Sequence, residues 1–138
     1  MKILLGSGGI RTKERRNLFF RLMKENFQGC KKVIFIPYAS GDYVEYTNSV
    51  KEMFSHLEFE IIGIHELDNP LVELEKMEGI YVGGGNTFSL VKKLHEKEII
   101  EIIKRKVLNE GVPYAGVSAG ANVACPTMQT TNDMPIDL

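Results

Sequence analysis

Ser118 stands inside Gly116-Val117-Ser118-Ala119-Gly120, after an apolar run and before a stretch of helical character. A serine hydroxyl attacks poorly unless the fold exposes it, a base takes its proton and nearby donors stabilise the oxyanion formed on its target. Gly-x-Ser-x-Gly between a strand and a helix is a nucleophile elbow, a tight bend that tolerates only small flanking residues. Gly116, Ala119 and Gly120 meet that need, and the start of the following helix favours the developing negative charge. A second cluster, Gly83-Gly84-Gly85-Asn86-Thr87, also separates a predicted strand from a predicted helix. If the two strands are neighbours, an N–H of Gly84 or Gly85 joins that of Ala119 in a two-donor oxyanion hole. Asn86 or Thr87 then caps the next helix.

Other chemistries fit less well. Gly6-Ser7-Gly8-Gly9-Ile10-Arg11 begins like a dinucleotide fingerprint but puts Arg11 where the third glycine belongs. The second strand ends in Pro37-Tyr38-Ala39-Ser40, without the acidic residue that would hold a ribose. No phosphate-binding G-x-x-x-x-G-K-[ST] run occurs, so a flavin or nucleotide module is disfavoured. The two cysteines, Cys30 and Cys125, are too few and too far apart for a disulfide scaffold; Cys125 is expected to pack inward as a small apolar residue.

The elements that must position these residues are legible in the apolar pattern. Short runs rich in Ile and Val, at residues 2–6, 32–38, 59–65, 79–82 and 112–117, lack strict polar alternation. That suits strands covered on both faces. Between them, residues 12–27, 42–57 and 87–109 carry apolar residues at three- and four-residue intervals, the last span broken into two helices around His95–Lys97. Alternation of strand and helix calls for a mostly parallel sheet with helices on both faces. All three glycine clusters then fall on one rim, at the carboxyl ends of the strands, where such sheets bind ligands.

With 138 residues, 43% hydrophobic and 25% charged, the chain has the composition of one globular domain. No apolar run is long enough to span a bilayer, and the expectation is a cytoplasmic protein. The net charge of −1 argues against nucleic acid as a partner. The charge is uneven, however: residues 1–34 sum to +7 and residues 35–80 to −8. Arg11, Lys13, Arg15 and Arg16 open the first helix on the rim of Ser118, placed to draw acidic ligands toward it. The bland alternative is a solvated helix end.

Three segments together resemble the peptidase E family of α-aspartyl dipeptidases. They are Tyr81-Val-Gly-Gly-Gly-Asn-Thr-Phe88, Gly116-Val-Ser-Ala-Gly-Ala-Asn122 and Pro126-Thr-Met-Gln-Thr-Thr-Asn-Asp-Met-Pro135, and the likeness runs across essentially the whole chain. The resemblance implies a three-layer, doubly wound α/β domain, flavodoxin-like and akin to class I glutamine amidotransferases, with serine where those enzymes carry cysteine. It implies serine-type hydrolysis of dipeptides with N-terminal aspartate, without metal or cofactor. Ser118 matches the nucleophile, Asp133 an aspartate assigned to the charge relay, and Gly84, Gly85 and Ala119 the oxyanion region. Asn86 and Arg11 are the candidate substrate contacts.

The family's histidine and a later glutamate follow the Asn-Asp-Met-Pro segment, and the sequence reaches Leu138 before either. The chain is therefore expected to lack the C-terminal part of the domain. It is also expected to cover apolar surface beside its last strand by self-association, and to be slow or to act only as a binder of acidic peptides. His56, His65 and His95 are expected to be structural, with His56 at the opposite rim and His65 ending the third strand. Asp133 without a histidine to orient is also a good loop former.

Overall fold

A computed structural model of the chain describes residues 2–6 and 12–121. Five strands, β1 (Ile3–Gly6), β2 (Lys32–Ile36), β3 (Glu60–Gly63), β4 (Gly79–Val82) and β5 (Tyr114–Val117), form one sheet in the order β1-β5-β4-β2-β3. Every pairing is parallel. Five α-helices fill the connections: α1 (Lys13–Asn26), α2 (Tyr43–Met53), α3 (Pro70–Lys76), α4 (Thr87–Glu96) and α5 (Ile100–Leu108). The architecture is the parallel, two-sided α/β sheet expected from the strand and helix patterns, and it matches the flavodoxin-like fold that the resemblance implies.

The layers follow from the two-residue period of a strand. Val33, Phe35, Tyr81 and Ala115 point to one face, where they pack with Met23 of α1, Val50 of α2, and Phe27 and Phe54 just past the ends of those helices. Ile34, Ile36, Ile80, Val82 and Tyr114 point to the other, against Leu74 of α3, Leu90 and Leu94 of α4, and Ile103 and Val107 of α5. Residues on both faces are apolar, so the strands read as continuous runs rather than alternating ones. Each fully buried Ile or Phe contributes about 1.5–3 kcal/mol. Connections through α1 and α2 run one way across the sheet, and those through α3 and through α4 and α5 run back. Right-handed crossovers in opposite directions put the two helix sets on opposite faces.

Of the helices that begin at the carboxyl ends of the strands, α1, α2 and α4 carry a side-chain cap. Thr12 Oγ1 accepts from Arg15 N–H at 3.1 Å, Asp42 Oδ1 from Glu45 N–H at 3.0 Å, and Asn86 Oδ1 from Ser89 N–H at 3.0 Å.

The local details differ from expectation in places. The third strand stops at Gly63, and His65 lies in a 3-10 turn, Ile64–Glu66, instead of ending the strand. Glu66 Oε1 accepts the Gly63 N–H at 2.8 Å and folds the chain back at that point. Helix α2 ends at Met53, four residues early, because Phe54 and Phe59 both turn into the core. Helix α3 has no counterpart in the apolar pattern. Its seven residues present one fully buried apolar residue, Leu74, too little for a helical period to show. Its signal was Asn69-Pro70, a capping residue followed by proline at the first helical position.

Candidate functional site

Ser118 follows β5 directly and has φ +53°, one of two non-glycine residues with positive φ among those described; Glu98 is the other. A left-handed serine at a strand end is sterically costly, and such conformations persist where the surroundings hold them. Here the holding contacts are specific. Ser118 N–H donates to Gly6 O of the neighbouring strand β1 at 2.7 Å. Tyr114 Oη donates to Gly120 O at 2.8 Å, fastening the far side of the bend to the start of β5. Gly120 lies against Val82 O so closely that no Cβ fits there. Ala119 is fully buried, and Ser118 itself is exposed.

Because β4 pairs with β5, with Val82 opposite Gly116, the triple-glycine turn lies beside the elbow. A Cβ at Gly84 would stand 3.0 Å from Ser118 Cβ. The next residue has φ +136°, and a Cβ on it would collide with Ala39 O. Only glycine satisfies both demands at position 85. The turn after β2 is thereby locked to the turn after β4, with Asn86 N–H donating to Ala39 O at 2.9 Å.

The two glycine amides are not equivalent. Gly84 N–H donates to Tyr46 Oη at 2.8 Å, whereas Gly85 N–H has no hydrogen-bond partner among the described residues. Tyr46, on α2, is a site neighbour that sequence reasoning missed; the contact joins residues 38 positions apart, and no local motif announces it. Burial pushes its phenol pKa above the ordinary value, against a smaller lowering by the Gly84 bond, so the group is a neutral hydroxyl near pH 7.

Ser118 and Gly84 are thus brought together, with Ala119 and Gly85 next to them in sequence. Asn86 adjoins them, its Oδ1 committed to capping α4. Arg11, Asp133 and Cys125 lie outside the described residues. The three histidines stand elsewhere. His56 packs its ring on Phe20, with centroids 4.8 Å apart, in the turn beyond α2. His65 follows edge strand β3, three strand spacings or about 14 Å from β5. His95 is near the end of α4 remote from the rim. Chemically, the arrangement presents an exposed hydroxyl, a glycine amide with no partner among the described residues and a crowded turn.

The chain matches peptidase family S51 over residues 2–138. It is 40% identical over 139 residues to a peptidase E of Nostoc sp., covering 98% of this chain and 57% of that one. It is 44% identical over 117 residues to a peptidase E of Salmonella paratyphi A, covering 83% of this chain and 51% of that one. The chain thus spans about half the length of these curated relatives. A crystal structure of a Listeria monocytogenes EGD-e protein that carries the peptidase E name superposes with a TM-score of 0.66 at 28% identity, over 98% of this chain and 72% of that one.

Proposed function

The chain belongs to peptidase family S51, and from that premise we propose that it is a serine peptidase of the peptidase E kind, acting on peptides with N-terminal aspartate. In this reading Ser118 Oγ attacks the carbonyl carbon of the scissile bond and gives up its proton. The charge that forms on the carbonyl oxygen is met by N–H groups from Ala119 and the triple-glycine turn. The C–N bond then breaks, the amine leaves with a proton, and water hydrolyses the acyl ester to regenerate the hydroxyl. The observation that carries this reading is the strained, exposed Ser118 with Gly84 pressed against it.

A second reading is favoured by the placement of the histidines: His56, His65 and His95 all stand away from the Ser118 turn, so the described residues supply no imidazole as base. On that reading the protein binds acidic peptides without turning them over. A fluorophosphonate probe separates the two. Covalent mass gain in the wild type, lost in Ser118→Ala, supports the nucleophile. An unlabelled wild type that still binds an Asp-containing dipeptide in calorimetry supports the binder and overturns the peptidase.

A further inference from the structure

Tyr46 ties a helix to the residue next to the nucleophile. Its ring meets Phe35 edge to face, with centroids 5.0 Å apart and planes at 87°, which fixes where the hydroxyl lies. A Cβ at Gly83 would lie 2.5 Å from Tyr46 Oη and 2.8 Å from the Phe35 ring, so the first glycine of the triplet makes room for this side chain. The second donates its N–H to the hydroxyl at 2.8 Å and also abuts Ser118. The third has its N–H unpartnered among the described residues.

We propose that Tyr46 is a positioning residue for the oxyanion pocket: its hydroxyl takes the Gly84 N–H, holds the triple-glycine turn against Ser118, and leaves the Gly85 N–H as the glycine donor. An oxyanion drawn to Gly84 would have to displace a 2.8 Å hydrogen bond, whereas Gly85 offers its amide without that cost. The Gly83–Gly84 peptide, with no Cβ on either side, has few intrinsic restraints on its rotation. The tether to Tyr46 supplies one. The proposal refines the expectation that either glycine serves equally, and it rests on the reading of Ser118 as the nucleophile.

The test is Tyr46→Phe, which keeps the stacking on Phe35 and removes only the hydroxyl. Fluorophosphonate labelling of Ser118 is followed over a range of probe concentrations, with backbone amide exchange measured in parallel. The expected result is a maximal labelling rate about tenfold lower, as for a small displacement of reacting groups. Half-saturation should change by less than about twofold, because the contact acts on the oxyanion and not on the bound ground state. Gly84 exchange should accelerate. A purely structural role would lower thermal stability and leave the labelling rate of the folded fraction unmoved, and that outcome overturns the proposal. Faster labelling in Tyr46→Phe overturns it too, since Gly84 would then be the donor that Tyr46 masks. If the variant does not fold, the wild type decides: a Gly84 amide exchanging as fast as that of Gly85 refutes the tether. An unlabelled wild type overturns the nucleophile reading itself and the Tyr46 role with it, a failure distinct from unchanged rates in a labelled protein.

Discussion

Gly84 and Ser118 are in contact across two neighbouring strand ends: a methyl group added at Gly84 would stand 3.5 Å from Ser118 Oγ and 3.0 Å from its Cβ. The missing side chain is what leaves the hydroxyl room to be approached from this side. Gly84→Ala should therefore reduce fluorophosphonate labelling of Ser118 by tenfold or more while costing only about 1–3 kcal/mol of stability. Labelling at the wild-type rate would show that the serine is not confined by this turn.

Gly85 makes the opposite kind of demand, on the backbone. With φ +136° and Ala39 O where a Cβ would go, Gly85→Ala should lose about 2–4 kcal/mol in urea denaturation. Gly41 has ordinary φ and nothing within 4 Å of its notional Cβ. Gly41→Ala should be neutral or stabilising, by at most about 1 kcal/mol. Equal losses at the two positions would contradict the geometry of the turn.

The rim turn after β3 should respond to acid. Burial raises the Glu66 pKa, but bonds from Lys51 Nζ at 2.7 Å and Gly63 N–H at 2.8 Å outweigh it and hold the carboxylate below its usual value. A carboxylate depressed in the folded state stabilises above its unfolded pKa and loses that contribution as pH falls through the folded one. Both Lys51 and Glu66 are more than a third exposed, so the pair contributes only about 0.5 kcal/mol. Glu66→Gln should lower the melting temperature slightly at pH 7, and the difference should close below about pH 4. A difference that persists at pH 3 would assign the loss to something other than charge.

The basic start of α1 offers a test of substrate attraction. Thr12 caps the helix, and Lys13, Arg15 and Arg16 are exposed beyond it; Arg11 lies outside the described residues. Replacing Arg11 and Arg15 with glutamine should weaken saturation by an Asp-containing dipeptide severalfold at low salt, with the difference shrinking near 0.15 M salt. Identical saturation at low salt would leave these cations a purely solvating role.

Much of this protein is written locally. Ile- and Val-rich runs mark the strands, because strands covered on both faces need apolar residues throughout. Amphipathic spacing marks α1, α2, α4 and α5. Gly116-x-Ser118-x-Gly120 marks the bend, because only small residues fit beside it. A cap from Asn86 or Thr87 is likewise visible ahead of a helical period, and the structure assigns it to Asn86. Helix α3 escaped because one buried leucine makes no period, and His65 was misplaced because a single side-chain bond from Glu66 ended its strand early.

Tertiary structure decided the rest. The pairing of β4 with both β2 and β5 set Gly84 against Ser118 and Gly85 against Ala39. Helix packing on the sheet brought Tyr46 to the Gly84 amide across 38 residues. No local rule encodes such meetings. They are fixed by which apolar faces bury one another, and a difference of one strand position in the sheet would move the same residues about 5 Å further apart.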